Sequence, residues 1–229
     1  MTQVSREFRV RARGEIACFT RPEMKVERVS YEVMTPSAAR GVLEAVLWKP
    51  AIAWRVHAIE VLAPVRWISF RRNEVNSKAS DRTMRVIFAD EDRAQRNTVA
   101  LRDVDYVIHA SFEMTRRLGP EDNVRKFEEM FERRLVKGQH HSAPFLGCRE
   151  FAARVEPGES SPPPIKLNRP LGWMFFDFDW TSFEGHPDHS LDHKASEARM
   201  PLFFEARLTD GVVRVPPRES LRADSGAPQ

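Results

Sequence analysis

The sequence predicts an α+β fold in which strands and helices follow one another as strand, helix, strand, strands, helix, strand, with a β-rich part after them. Three observations carry this. Alternating apolar and charged residues open the chain, two segments with apolar residues at helical spacing lie far apart in it, and runs of β-branched and aromatic residues fill the intervals between them.

Phe8, Val10 and Ala12 alternate with Arg9, Arg11 and Arg13, and Ile16 to Phe19 continue after Gly14. This predicts a first strand with one core face, one basic face and a kink or bulge at the glycine. Thr35-Pro36-Ser37 offers an N-cap followed by proline at the first helical position. Ala39, Leu43, Val46 and Leu47 then mark one face of a helix over Ala38 to Trp48, ended by Pro50. Ala51 to Pro64 and Trp67 to Phe70 read as strands. After a polar excursion through residues 71 to 98, Val104 to Phe112 form a further strand, broken by Gly119-Pro120. Val124, Phe127, Phe131 and Leu135 share a stripe of a second helix, Glu121 to Val136. Phe151, Ala153 and Val155 suggest a closing strand. This order matches the ferredoxin-like, split βαβ arrangement (βαββαβ), a fold that hosts many RNA-recognition modules without dictating function.

The remainder changes character. Residues 158 to 170, rich in proline and serine, read as a linker that divides a domain over 1–157 from a small β-rich part over 171–216. In that part Leu171 to Phe178 form a strand, and Asp210-Gly211 between apolar runs signals a type I′ hairpin. Residues 217–229 are expected to be a disordered tail.

Composition excludes several classes. With 229 residues and 41% hydrophobic content the chain can bury a core. Two cysteines, Cys18 and Cys148, build no disulfide framework, and neither a signal peptide nor a membrane-length apolar run is legible, so a cytoplasmic protein is expected. The net charge of +3 alone identifies no partner, but Arg66, Arg71, Arg72, Lys78, Arg82 and Arg85 stand against only Glu74 and Asp81 in residues 66 to 85, a stretch suited to tracking phosphates. His186, His189 and His193, with Asp188 and Asp192, form a metal-like cluster. Gly185, Pro187, Ser190 and Ser196 around them point to a loop, so neither metal nor cofactor is expected. No phosphate-binding glycine loop, zinc spacing or serine-nucleophile elbow is present.

Several segments together carry a resemblance: Ala17 to Tyr31, Thr35-Pro36-Ser37-Ala38-Ala39-Arg40-Gly41, Trp48-Lys49-Pro50-Ala51-Ile52, Arg71-Arg72-Asn73-Glu74-Val75, Leu146-Gly147-Cys148-Arg149-Glu150-Phe151 and Pro201-Leu202-Phe203-Phe204. The chain resembles the subtype I-C (Dvulg-type) Cas-five family of RAMP proteins over nearly its whole length. The resemblance implies a protein that cuts precursor CRISPR RNA at each repeat stem-loop and stays with the 5′ handle of the guide. It also implies a Cascade assembly shared with a large subunit and backbone subunits.

The implied reaction needs no metal. A 2′-hydroxyl attacks the adjacent phosphate and leaves a cyclic phosphate, which requires a proton acceptor, a cation for the phosphate charge and a proton for the leaving 5′-oxygen. The family pattern supplies a Tyr or His before Trp-Lys-Pro and a Lys-His pair in the second helix. Here those positions hold Leu47 and Lys126-Phe127, so only Lys126 carries over. His140 and His141, directly after that helix, are the nearest replacement proton carriers, and Tyr31 is a further candidate. Arg21, Lys25, Arg28, Lys49, Arg71 and Arg72 are the expected RNA contacts, since guanidinium groups hold phosphates bidentately and stack on unpaired bases. Three functions follow as expectations: an active endoribonuclease, a handle-binding scaffold with little cutting, and a less selective binder that also grips duplex DNA.

Overall fold

The computed structural model describes residues 3–24, 26–77, 88, 90–179 and 201–223, and shows a strand-rich mixed α/β chain. The elements are β1 (Phe8–Ala17), β2 (Arg28–Val29), α1 (Pro36–Val46), β3 (Ile52–Val61), β4 (Trp67–Val75), β5 (Arg93–Met114), α2 (Val124–Lys137), β6 (Arg154–Pro157), β7 (Arg169–Phe178), β8 (Pro201–Thr209), β9 (Val212–Arg214) and α3 (Arg218–Ala223). One sheet runs in the order β6-β1-β5-β3-β9-β8-β7, with β2 and β4 also paired to β5. Its pairings are antiparallel apart from the short β2·β5 contact.

The period-two pattern of β1 does what the sequence predicts. Phe8, Val10 and Ala12 are buried under the helices, while Arg11 on the other face grips Asp105 of β5 through two hydrogen bonds of 2.9 and 2.6 Å. The register with β5 runs evenly from Phe8 to Ala17, so the expected bulge at Gly14 is absent. Gly14 instead admits a close neighbour: a Cβ there would lie 2.7 Å from Leu146 Cδ1 and 2.8 Å from the carbonyl oxygen of Ala152.

α1 starts as its sequence dictates, with Thr35 Oγ1 accepting from the Ala38 N–H at 3.3 Å and Pro36 in the first turn. α2 is capped by Asn123, whose side chain accepts from the Lys126 N–H, and ends at Gly138 in the left-handed region at φ 62°. Phe127, Phe131 and Leu135 fall on its buried stripe. Phe131 meets Trp54 at 4.6 Å and Phe8 at 5.0 Å between ring centroids, so the helix is clamped onto the sheet by aromatic contacts.

Among the described residues of the polar stretch expected to be an excursion, 71–75 and 93–98 are in fact strand. β4 extends to Val75 and β5 begins at Arg93, and the two pair from Trp67↔Leu101 to Val75↔Arg93. Alternate residues of this arm are exposed, which is why its composition reads as loop.

The C-terminal strands continue the same sheet, because β9 pairs with β3. The hairpin at Asp210-Gly211 has positive φ at both residues, 47° and 76°, as a type I′ turn requires. The proline-rich segment is tied at both ends: the Gly158 N–H donates to the Arg9 carbonyl and the Ile165 N–H to the Val61 carbonyl, each at 2.9 Å. The expected disordered tail is corrected in part, since residues 218–223 form α3. Arg218 donates to the Phe178 carbonyl and Leu221 packs on the core, two anchors that a low apolar count conceals.

Candidate active site and basic surface

Lys126 stands in the first turn of α2, where the exposed end of the helix meets the loop that follows β5. Its ammonium lies 3.0 Å from Asp122 Oδ1, an i,i+4 pair. Asp122 is held below the usual carboxylate range, first by the Gly119 N–H that donates to it at 2.9 Å, then by Lys126, with Lys49 adding a smaller attraction. Asp122 therefore holds Lys126 directly and feels the charge of Lys49, which follows α1, more weakly. An exposed ammonium of this kind suits the charge on a phosphate in transition.

The two positions where the family pattern expects proton carriers are structural here. Leu47 is fully buried, and Phe127 packs edge-on against Phe112 with centroids 6.4 Å apart. The histidines are more exposed. His140 and His141 follow the Gly138 cap, which lies about 18 Å from Lys126 along the axis of α2. His141 is fixed to the end of α1: its N–H donates to the Ala45 carbonyl at 2.8 Å, and its ring stacks on Trp48 at 6.0 Å with 21° between the planes. The Trp48-Lys49 segment thus stacks on the imidazole through Trp48 and attracts Asp122 through the charge of Lys49.

Tyr31 is not placed to move a proton for a bound RNA, which corrects the expectation. It is 2% exposed, its hydroxyl accepts from the Phe175 N–H at 3.2 Å, and burial pushes the phenol above its ordinary pKa. Its function in the fold is to hold β7. Arg40 does the same from α1, its Nε donating to Asp177 of β7 at 2.8 Å while NH1 pairs with Glu44 at 2.6 Å. Both residues come from segments that carry the resemblance, so part of that signal is the docking of the C-terminal strands.

The expected RNA contacts divide. Arg21 lies over the Tyr31 ring at 4.6 Å, and Lys25 lies outside the described residues, as do the His186, His189 and His193 cluster and Lys78, Arg82 and Arg85. Arg28 and Arg72 are drawn into one junction beneath the arm. Arg28 pairs with Glu150 at 3.0 Å and Glu74 at 3.4 Å, and Arg72 pairs with the same two carboxylates. Arg28 also donates to Cys148 Sγ at 3.5 Å. A hydrogen bond from Cys18 is the main reason the Cys148 thiol drops to about 6, with Thr20 and Arg28 also favouring the thiolate, while Cys18 is pushed up. Arg71, on the opposite face of β4 from Arg72, is exposed beside Asn97 and has no ion pair among the described residues. Neighbouring arginines thus have different fates because strand side chains alternate.

Sequence reasoning missed the Asp122–Lys126 pair, although its i,i+4 spacing was legible, and it missed the Trp48–His141 stack, for which no local signal exists.

This geometry agrees with what the chain is similar to. The family model for Cas5d, a CRISPR-associated protein (Cas_Cas5), matches residues 8–216. The chain belongs to the Cas5d family. Two curated relatives, each named CRISPR pre-crRNA endoribonuclease Cas5d, match almost end to end. The protein from Mannheimia succiniciproducens is 42% identical over 232 residues, covering 93% of this chain and 96% of its own. That from Thermus thermophilus is 42% identical over 213 residues, covering 91% of each. Among solved structures, a crystal structure of a CRISPR-associated protein superposes with a TM-score of 0.68 at 23% identity, covering 96% of this chain and 97% of that one. A chain of a CRISPR RNA-guided surveillance complex does so with 0.52 at 13% identity, covering 95% and 97%. These two likenesses show a shared fold.

Proposed function

We propose that this chain is a pre-crRNA endoribonuclease of subtype I-C, the Dvulg type, which cuts precursor CRISPR RNA at the repeat stem-loop and retains the 5′ handle. The observation that carries the reading is the 42% identity, over more than nine-tenths of both chains, to two curated proteins bearing that activity in their names. The strand order β6-β1-β5-β3 with α1 and α2 as crossovers supports a ferredoxin-like framework over residues 1–157, to which residues 171–216 add the β-rich part. Two unpaired cysteines fit a cytoplasmic setting, and no described helix is long and apolar enough to cross a membrane. Its partners are the repeat RNA and the large and backbone subunits of a Cascade.

In the chemistry that this assigns, the 2′-oxygen upstream of the cut attacks phosphorus, the bond to the 5′-oxygen breaks, and a cyclic phosphate and a 5′-hydroxyl result without a metal. Lys126 balances the charge on the phosphate oxygens. The proton of the 2′-oxygen passes to water and another returns to the 5′-oxygen, because His140 and His141 stand beyond the far end of α2 from Lys126. A second reading, a handle-binding scaffold with little cutting, is favoured by the burial of Leu47 and Phe127 where the family pattern has proton carriers.

Incubation of the purified protein with its own repeat RNA in EDTA separates the two. A single cut below the stem, lost when the scissile 2′-hydroxyl is replaced by hydrogen, is expected. Uncut RNA bound at undiminished affinity would leave only the scaffold. Competition by unrelated duplex DNA across a salt series tests selectivity, since binding through phosphates alone collapses as salt rises.

A further inference from the structure

Trp48 is 48% exposed, although its neighbour Leu47 is fully buried and Ala51 is 3% exposed. An indole left in water at the end of a well-packed helix calls for a reason, because covering it would stabilise the fold. Trp67 and Trp173 are also exposed, but neither has a stacked ring among the described residues. Trp48 has the imidazole of His141 behind it, and both rings are anchored. Trp54 Nε1 donates to the Leu47 carbonyl at 3.1 Å, fixing the backbone just before Trp48. The N–H groups of His141 and Ser142 both donate to the Ala45 carbonyl, and Arg134 donates to the Val46 carbonyl at 2.9 Å. The exposed pair is therefore preorganised on the last turn of α1, which lowers the ordering cost of binding a flat partner.

The next residue is Lys49, whose charge attracts Asp122, the carboxylate paired with Lys126. A fixed aromatic face followed immediately by a cation is the combination that holds single-stranded RNA, a base on the ring and a phosphate on the ammonium group. At 6.0 Å the two rings stand too close to admit a base between them, so the outer face of Trp48 is the available one.

Resting on the RNA-processing reading above, we propose that Trp48, backed by His141, is the stacking shelf for one unpaired base in the single-stranded flank of the repeat. By seating that base it selects which phosphate reaches Lys126. Trp48 is thus a positioning and specificity residue.

The test is a scan of the repeat hairpin in which each flanking nucleotide in turn is made abasic, with binding and the cut position read for wild type, Trp48→Ala and Trp48→Phe. In wild type, one abasic position should weaken binding by roughly five- to a hundredfold. Trp48→Ala should weaken intact RNA by a similar factor, lose its sensitivity at that same position and spread the cut to neighbouring phosphates, while Trp48→Phe keeps most of each property. A Trp48→Ala protein that binds intact RNA like wild type, or that retains the abasic sensitivity, overturns the shelf. Thermal melting reports folding, and Trp48→Leu, which keeps bulk without an aromatic face, carries the comparison if the alanine variant unfolds. Wild-type protein that does not bind the repeat hairpin at all overturns the RNA reading itself, a different result from either.

Discussion

The edge formed by the ends of α1 and α2 and the junction beneath the β4–β5 arm are both rich in cations, yet they arrange them oppositely. At the junction Arg28 and Arg72 are locked to Glu74 and Glu150 and screened by neighbouring strands. At the edge Lys126 is paired with the single carboxylate of Asp122 while remaining 41% exposed. Arginine, with its planar fork, serves as internal cross-link where two carboxylates face it, and an exposed lysine held by one carboxylate can turn to meet a mobile phosphate. A count of basic residues in a window therefore overstates the surface open to RNA.

The largest effect that would sharpen this contrast belongs to the edge. Lys126→Ala should slow single-turnover cleavage of the repeat RNA by about a hundredfold or more while leaving its affinity within a few-fold, since the ammonium acts mainly on transition-state charge. Unchanged cleavage would break the comparison at its strongest point.

At the junction the response should appear in stability. Arg72→Ala leaves Glu74 and Glu150 beside a single arginine and should cost on the order of 1–2 kcal/mol, read as a lower thermal midpoint, with RNA affinity preserved. Its sequence neighbour should behave in the reverse way. Arg71→Ala should leave the midpoint unmoved and weaken RNA binding a few-fold, reducing the salt slope by about 1. Equal behaviour of the two variants would mean that the faces of β4 do not divide as described.

The smallest effect is a titration. The Cys148 thiolate is the reactive form, so alkylation by iodoacetamide should rise with pH to a midpoint near the value of about 6 set chiefly by Cys18. Cys18→Ser substitutes a differently placed donor and should move that midpoint upward; a downward move would contradict the assigned hydrogen bond.

Much of this architecture was legible before any coordinates. Thr35-Pro36 announced α1 because capping is local, and Phe127, Phe131 and Leu135 announced the buried stripe of α2 because a helix repeats every 3.6 residues. Asp210-Gly211 announced its turn through backbone conformation alone. The arm was illegible because Arg71 to Glu74 and Arg93 to Asn97 gain strand order from pairing with each other, with little burial to imprint an apolar alternation. The docking roles of Tyr31, expected as a proton carrier, and of Arg40 were illegible, since their partners Phe175 and Asp177 lie more than 130 residues away. At the edge, Lys126 was legible by position, whereas the stack of His141 on Trp48 depends on a loop returning to the end of α1, which only tertiary structure reveals.

The length of β5 has a consequence for how the chain is made. β1, β2, β3 and β4 each pair with β5, and their other partners, where they have any, come still later. During synthesis the first four strands therefore wait, unpaired and with amphipathic faces uncovered, until Met114 has left the ribosome. Pairings of such high sequence separation are slow to form, so the nascent protein passes through an interval of exposed strand edges. Lower growth temperature, which weakens hydrophobic association of the waiting strands, should raise the yield of soluble protein without altering the final fold.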